Sequence, residues 1–231
     1  MLAIKGVTAA YGETVILRDV DIDIPEGAVV ALMGRNGVGK TTLLKTVMGL
    51  IHPLSGTITY NESDIVRWKP ETRALQGIGY VPQGREVFPY LTVQENLLVG
   101  LEARGRKAVV PDGIFDLFPN LKDIQNRRGG DLSGGQQQQL AIARILITEP
   151  KLLLLDEPTE GIQPSIVFEI ENTIRFIKDQ GRLSILLVEQ YMEFALRLAD
   201  FCYVMEKGSI VFHGNVRELS REEIKNHLAI I

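Results

Sequence analysis

One glycine-rich stretch carries the clearest chemistry of this sequence, because it lies between the apolar run 28–33 and a helix-like run 43–48. Its nine residues are, in order, Gly34, Arg35, Asn36, Gly37, Val38, Gly39, Lys40, Thr41 and Thr42. Glycines let backbone N–H groups approach phosphate oxygens, and a helix that starts behind them adds partial positive charge. We expect Lys40 to reach the outer phosphates and Thr41 to bind Mg²⁺. The stretch therefore predicts a phosphate cradle for ATP or GTP rather than a chance turn.

A pair of acidic residues supplies a second chemical feature. Four leucines, residues 152–155, directly precede Asp156 and Glu157, which is typical of a buried central strand that ends in carboxylates. Such an Asp can hold Mg²⁺, and the adjacent Glu can position or deprotonate an attacking water. Two neighbouring carboxylates are costly to bury without a cation. The alternative is an acid pair that faces solvent.

Two isolated side chains could join the same site. Gln83 follows the predicted strand 78–81, where it could reach a metal or a water, although it could equally be an ordinary loop residue. Tyr11 lies 23 positions before Gly34 at the edge of a predicted sheet. It could stack on adenine or be an ordinary aromatic residue at a strand end.

A second candidate anion site begins at Ser133, which can cap a helix that runs to about residue 148. Gly134 and Gly135 leave the first N–H groups of this helix open to an anion. The glutamine run 136–139 is expected on the solvated side of the helix, because apolar residues occupy one face.

The elements that must position these residues alternate between strands and helices. Residues 2–33 are predicted to be β-structure, residues 92–149 mainly helical with a Thr92–Glu95 capping box, and residues 164–177 helical. The basic run 104–107 is expected to be a solvated linker. This pattern indicates an α/β protein.

Bulk composition excludes several classes of protein. The chain has 231 residues and a formal net charge of −4, which argues against a dedicated nucleic-acid surface. Its single cysteine, Cys202, lies in an apolar run and is expected to be a buried hydrophobe in a reducing compartment. No apolar run approaches the ~20 residues that span a bilayer, and no targeting signal opens the chain, so we expect a cytoplasmic protein.

Residues 132–136, placed between the cradle and the acidic strand, resemble the signature of ATP-binding cassette (ABC) ATPases. By this resemblance, residues 34–42 correspond to Walker A and residues 152–156 to Walker B. Glu157 corresponds to the catalytic glutamate. The resemblance covers nearly the whole chain and implies ATP and Mg²⁺ as ligands.

The same resemblance assigns the isolated side chains. Tyr11 is similar to the adenine-stacking aromatic residue, and Gln83 to the glutamine that contacts Mg²⁺ and faces the transport partner. The implied fold is a P-loop NTPase with a RecA-like mixed sheet core and an N-terminal antiparallel β subdomain. An α-helical subdomain is inserted at about 84–150, and residues 1–231 form a single domain.

The family also implies the partners. Two cassettes pack head to tail, as a homodimer or heterodimer, so Ser133, Gly134, Gly135 and Gln136 would complete the ATP site of a second ATPase subunit. The helical subdomain would dock one of two transmembrane permease subunits. A solute-binding protein would deliver the solute to these permease subunits. The chain would then be peripheral on the cytoplasmic face of the membrane.

Two positions depart from the general family pattern. Gln190 stands where most cassettes carry the histidine that contacts the γ-phosphate, and Gln163 stands where an aspartate is common. A glutamine can still donate a hydrogen bond but does not become cationic near neutral pH. Both departures are similar to the residues found in the ATPases of importers for branched-chain amino acids and related polar solutes. Residues 34–40 and 81–85 resemble the urea and short-amide branch, so urea is the expected solute and branched-chain amino acids are the alternative.

Other function classes remain to be weighed against transport. A cassette that acts in DNA repair or translation usually carries zinc modules, long coiled coils or a second cassette, none of which this sequence contains. A P-loop kinase would leave residues 132–136 unexplained.

Overall fold

The structure, a computed structural model, describes residues 1–102, 109–181, 183–219, 222–224 and 227. In chain order the strands are β1 (Leu2–Tyr11), β2 (Thr14–Ile24), β3 (Val29–Met33), β4 (Ser55–Tyr60), β5 (Ser63–Asp64), β6 (Ile78–Val81), β7 (Leu152–Asp156), β8 (Ser184–Glu189), β9 (Phe201–Glu206) and β10 (Ser209–Asn215). The helices are α1 (Lys40–Met48), α2 (Pro70–Leu75), α3 (Val93–Glu102), α4 (Asp112–Leu117), α5 (Pro119–Asp123), α6 (Gly134–Leu146), α7 (Pro164–Asp179) and α8 (Met192–Leu198).

The strands form two sheets. The first has the order β2-β1-β4-β5 and is antiparallel, and the second has the order β10-β9-β3-β8-β7-β6. In the second sheet, all neighbours pair in parallel except β10, which runs antiparallel to β9. The predicted mixed sheet with a separate N-terminal antiparallel sheet is therefore confirmed.

Parallel strands place several predicted site residues at one edge. The carboxyl ends of β3, β6, β7 and β8 all lie at that edge of the second sheet. The glycine-rich turn follows β3, Gln83 follows β6, Glu157 follows β7, and Gln190 follows β8. This is the position at which open α/β sheets bind ligands.

Burial explains why these strands are continuous apolar runs. Every residue of β3, β7 and β8 is buried. In β3, Val29, Ala31 and Met33 belong to the core cluster with α3 to α8, whereas Val30 and Leu32 belong to the cluster with α1 and the antiparallel sheet. The second sheet is therefore covered on both faces, and its polar residues are found where the strands end.

The helical prediction for 92–149 is confirmed in outline, since α3 to α6 all lie between β6 and β7. Both predicted caps are present. Glu95 N donates to Thr92 Oγ1 at 3.1 Å while Thr92 N donates to Glu95 Oε2 at 2.7 Å, and Ser133 forms the same capping box with Gln136. The predicted linker residues 104–107 lie outside the described part of the chain.

The predicted solvated glutamine face is wrong for two residues. Gln138 and Gln139 are 4% and 2% exposed, and Gln139 donates to the Glu169 carboxylate of α7. Gln139 therefore faces α7, and Gln138 lines a cavity with Arg85, Glu157 and Glu160. None of the helices in the described ranges is long and apolar enough to cross a membrane.

Candidate active site

The glycine-rich turn 34–39 joins β3 to α1 and surrounds the buried Lys40 side chain. Lys40 Nζ donates to the carbonyl oxygens of Gly34 at 2.7 Å and Arg35 at 2.9 Å. A Cβ at Gly34 would lie 2.5 Å from the carbonyl oxygen of Met205, so the approach of this turn to β9 requires glycine. The predicted cradle is thus a compact turn wrapped around an ammonium group.

A cavity of about 320 Å³ opens beside this turn. It is lined by Ile16, Asn36, Gly37, Gly39, Lys40, Thr41, Thr42, Gln83 and Glu157. Six of these residues belong to the glycine-rich stretch, and the other three come from β2, the loop after β6 and the end of β7. Because the cavity combines backbone N–H groups, a helix N-terminus and a lysine, it suits a polyphosphate.

Asp156 lies at the end of β7 between two hydroxyl groups. Thr41 Oγ1 donates to Asp156 Oδ1 at 3.1 Å, and Tyr80 Oη donates to Asp156 Oδ2 at 3.2 Å. Burial raises the pKa of the Asp156 carboxyl, and the two hydroxyl hydrogen bonds oppose that shift. The structure therefore brings Thr41 and Asp156, which the sequence separately suggests as Mg²⁺ ligands, within hydrogen-bond distance of each other.

The Thr41–Asp156 pair suits a Mg²⁺ ion that is bound together with nucleotide phosphates. It does not suit a metal whose ligands all come from protein side chains. Among the described residues there is no group of three or more His, Cys, Asp or Glu side chains that could hold a metal. Mg²⁺ is usually held by one or two carboxylates together with phosphate oxygens and water. A hydroxyl and one carboxylate beside a phosphate cradle have that chemistry.

Three side chains converge on Glu157, the predicted catalytic residue. Its Oε1 lies 3.0 Å from Lys40 Nζ, while its Oε2 accepts from Gln190 Nε2 at 3.0 Å and from Gln83 Nε2 at 3.4 Å. The residue is 7% exposed, and its φ of 48° lies in the left-handed region that non-glycine residues rarely adopt. Such strain commonly occurs at functional sites.

The two glutamines also contact neighbours that sequence reasoning did not pair with them. Gln83 Nε2 donates to Glu160 Oε2 at 2.7 Å, and Gln190 Nε2 donates to Asn36 Oδ1 of the glycine-rich turn. Gln190 therefore joins the cradle to Glu157.

The helix start at Ser133 lies apart from this site within the chain. Ser133, Gly134, Gly135 and Gln136 are all described by the structure, and none of them lines the cavity beside Lys40. The two glycines have packing reasons of their own. A Cβ at Gly134 would lie 2.7 Å from the Arg85 guanidinium, and a Cβ at Gly135 would lie 2.8 Å from the Ile166 side chain.

Comparison with known proteins agrees with the order of these motifs. The sequence profile described as ABC transporter matches residues 17–160 of this chain. The chain belongs to the ABC transporter family. The high-affinity branched-chain amino acid transport ATP-binding protein BraG of Pseudomonas aeruginosa is 42% identical over 215 residues, 92% of each chain. The probable branched-chain amino acid transport ATP-binding protein LivF of Archaeoglobus fulgidus is 39% identical over 225 residues, 96% of this chain and 95% of LivF.

Solved structures of ABC proteins share the whole fold. The ATP-binding subunit of an ABC transporter superposes with a TM-score of 0.86 at 26% identity and covers 99% of both chains. A dimeric cassette bound to ADP and phosphate superposes with a TM-score of 0.85 at 26% identity, covering 95% of this chain and 100% of that chain. The chain is accordingly an ABC ATPase that binds adenine nucleotide and couples its hydrolysis to transport.

Tyr11 is another predicted ABC site residue that lies outside the cavity. It ends β1, is 50% exposed and does not line the cavity beside Lys40. An exposed ring has room to stack on a base that projects from the cradle. Its role as the adenine-stacking residue stays a prediction.

Sequence reasoning missed three residues at this ABC site. Ile16 lines the cavity, Tyr80 holds Asp156, and Glu189 accepts four hydrogen bonds behind Gln190. Tyr80 and Glu189 had a detectable signal, because each is a polar residue within a strand that ends at the site edge. Ile16 looks like any other apolar strand residue.

Proposed function

We propose that this chain is the ATP-hydrolysing subunit of an ABC importer for a small polar solute. The observation that carries the proposal is the convergence of Lys40, Gln83 and Gln190 on the Glu157 carboxylate, beside the Thr41–Asp156 pair. This arrangement places a carboxylate at the edge of a phosphate cradle, where a water in line with a terminal phosphate would lie.

Hydrolysis follows from those positions. ATP binding draws Lys40 toward the phosphates and releases Glu157 from the ion pair. Glu157 then accepts a proton from water as the water oxygen bonds to the γ-phosphorus and the bond to the bridging oxygen of ADP breaks. Gln190 and Gln83 orient the carboxylate by donating to its Oε2.

Mg²⁺ would be held by Thr41 and Asp156, with Gln83 as a further proposed contact of the metal. When bound, it neutralises charge on the phosphate oxygens. Tyr80 orients the Asp156 carboxylate from the opposite side.

The second ATPase subunit completes the site in this proposal. Solved relatives include dimeric cassettes. The helix N-terminus at Ser133 and Gly135 does not line the nucleotide cavity of its own chain, which supports a role against the nucleotide of a partner. A lone chain would bind ATP through Lys40 and Tyr11 but hydrolyse it slowly. The whole chain acts as one ATP-binding domain, with the insertion at about 84–150.

A groove of about 470 Å³ supports the proposed docking of one of the two permease subunits. Its apolar lining comes from α1, α2, β6, the loop after β6, α3 and α6, and includes Met48, Leu75, Tyr80, Phe88, Val99 and Ile145. An apolar helix face of a permease fits this lining. The chain would thereby be held at the cytoplasmic face of the membrane, and the acidic net charge supports no role for nucleic acid.

The solute is the least constrained part of the proposal, because a cassette does not contact it. BraG and LivF are named for branched-chain amino acid transport, so these amino acids are better supported than urea, which the short motifs predict. A relative at 31% identity, LptB of Escherichia coli, is named for lipopolysaccharide export, and it covers 96% of this chain. Overall similarity of a cassette therefore does not decide the direction of transport.

Affinity purification from membranes of the native cell tests the proposal. Recovery with two polytopic membrane proteins supports an importer subunit, and recovery with nucleic acid contradicts it. The purified complex, reconstituted with its solute-binding protein, is then assayed for ATP hydrolysis with leucine, isoleucine, valine or urea. Stimulation by the amino acids and not by urea is the expected result.

A further inference from the structure

Glu189 is a buried acid that the proposed mechanism does not use. It is 2% exposed and ends β8, directly before Gln190. Its Oε1 accepts from Thr159 Oγ1 at 2.8 Å and from Thr159 N at 3.1 Å. Its Oε2 accepts from Gln190 N at 3.0 Å and from Tyr191 N at 3.3 Å.

Each carboxylate oxygen therefore holds a different loop. Oε1 holds the loop that follows Glu157, and Oε2 holds the loop that contains Gln190. Gln190 Nε2 lies 3.0 Å from Glu157 Oε2 at the point where these two loops leave the paired strands β7 and β8. The Glu189 carboxylate thus bridges the two loops that carry the amide and the carboxylate.

The chemistry of the bridge requires a carboxylate. Four donors face it, and an ionised carboxylate is a side chain that accepts from all sides and donates nothing. A glutamine of the same shape would turn an NH₂ group toward N–H donors. Burial raises the pKa of Glu189, while the hydrogen bonds from Thr159, Tyr191 and Gln190 favour the ionised form.

We propose that Glu189 is a positioning residue for ATP hydrolysis, which holds Gln190 against Glu157 by bridging the loops after β7 and β8. This inference rests on the proposed roles of Glu157 and Gln190. It adds a residue that acts through the two loops and not on the reacting atoms.

Steady-state ATP hydrolysis by the full chain tests the bridge with Glu189→Gln. We expect kcat to fall about 10-fold to 100-fold, since misplacement of a catalytic group by about 1 Å costs that much. The KM for ATP should change less than about threefold, because the cradle is intact. Thr159→Val, which removes one of the four donors, should lower kcat less, whereas Thr159→Ser should restore it. The double variant should lose less than the product of the two single losses.

Glu171→Gln is the matched control. Glu171 is also a buried carboxylate, 5% exposed, but its partners are Arg175 and Arg197, which lie outside the cavity beside Lys40. This variant should lower the Tm and leave kcat unchanged. If Glu189→Gln behaves in the same way, the positioning role is wrong.

Two further outcomes keep the test decisive. If Glu189→Gln does not fold, a folded Thr159→Val variant with the kcat of the parent protein overturns the proposal. Failure of the proposed function has a different signature, since it would show as near-normal turnover of Glu157→Gln. Loss of turnover in Glu157→Gln together with normal kcat in Glu189→Gln would reject the bridge alone.

Discussion

Lys40 Nζ lies 3.0 Å from Glu157 Oε1, and both side chains are almost completely buried. The residue that is expected to bind phosphate and the residue that is expected to activate water are therefore paired with each other before nucleotide arrives. Lys40 also donates to two carbonyl oxygens of the cradle turn, so one ammonium group satisfies three acceptors. A phosphate that competes for Lys40 also releases the carboxylate.

This pairing predicts that Lys40→Met destabilises the nucleotide-free protein. Breaking a buried ion pair leaves an uncompensated charge and costs about 3–5 kcal/mol. Urea denaturation without nucleotide measures the loss. ATP affinity, measured by fluorescence titration, should fall as well.

The double variant Lys40→Met with Glu157→Gln is the control for this prediction. It removes both charges, so most of the lost stability should return while ATP affinity stays low. Equal stability of Lys40→Met and the parent protein would show that the pair contributes nothing before nucleotide binds.

Glu157→Gln separates binding from chemistry. The amide cannot accept the proton of the attacking water, so hydrolysis should slow by about 10²–10⁴-fold. ATP should still bind, because the cradle and Lys40 are unchanged. Single-turnover hydrolysis and a nucleotide-binding assay on the same preparation check both statements. Near-normal turnover would remove Glu157 from the catalytic role.

Tyr80→Phe tests whether the proposed docking groove is linked to Thr41 and Asp156, the proposed Mg²⁺ ligands. The tyrosine ring lines the groove while its hydroxyl donates to Asp156 Oδ2. Loss of a hydrogen bond that orients a metal ligand typically costs 10–100-fold in metal affinity or activity. We expect the Mg²⁺ concentration for half-maximal hydrolysis to rise about tenfold, with recovery of permeases unchanged because the ring remains.

Tyr203→Phe is the matched variant for that experiment. Its hydroxyl accepts from Asp23 N at 3.2 Å in the antiparallel sheet, away from Asp156. The Mg²⁺ dependence of this variant should equal that of the parent protein. A Tyr80→Phe variant with the same Mg²⁺ dependence as Tyr203→Phe would contradict the link.

Gln190 should make hydrolysis insensitive to pH where a histidine would titrate. The amide donates to Glu157 and stays neutral across this range. Gln190→His should introduce a step with an apparent pKa near about 6.5, below which the imidazolium pairs with Glu157 and weakens it as a base. The pH–rate profiles of the two proteins check this. Gln190→Leu, which cannot titrate, should be slower at every pH without a new step.

The sequence predicts the cradle and the acidic strand well because both are local. Glycine spacing, Lys40 and a run of four leucines each describe a structure that is complete within a few residues. The convergence of Gln83 and Gln190 on Glu157 is different, because it depends on the strand order β8-β7-β6. A single sequence without the family resemblance does not contain that order.

The burial of Gln138 and Gln139 is a second case in which contacts between distant elements decide the structure. Here the local pattern gives a wrong prediction. Helical periodicity assigns them to the solvated face, but Gln139 donates to Glu169 of α7, 30 residues away, and Gln138 faces the loops that carry Arg85 and Glu160. The position of Glu189 at the end of a strand is visible in the sequence, but its contact is not. Its partner Thr159 lies in the loop after β7, and the local sequence around either residue does not predict that the two meet.

Glu171 predicts a pH dependence of stability that is independent of the site. Arg197 and Arg175 hold the pKa of this carboxyl below its usual value, with Arg197 the larger cause. A carboxyl with a lowered folded-state pKa stabilises the protein above its unfolded pKa of about 4.3, and that contribution disappears as the pH falls through the folded value. Thermal unfolding between about pH 7 and pH 3 measures it. At pH 7 Glu171→Gln should be less stable by about 1 kcal/mol, because both arginines are partly exposed. The difference between the two proteins should shrink below about pH 4, and a constant difference would show that ionisation of Glu171 does not stabilise the fold.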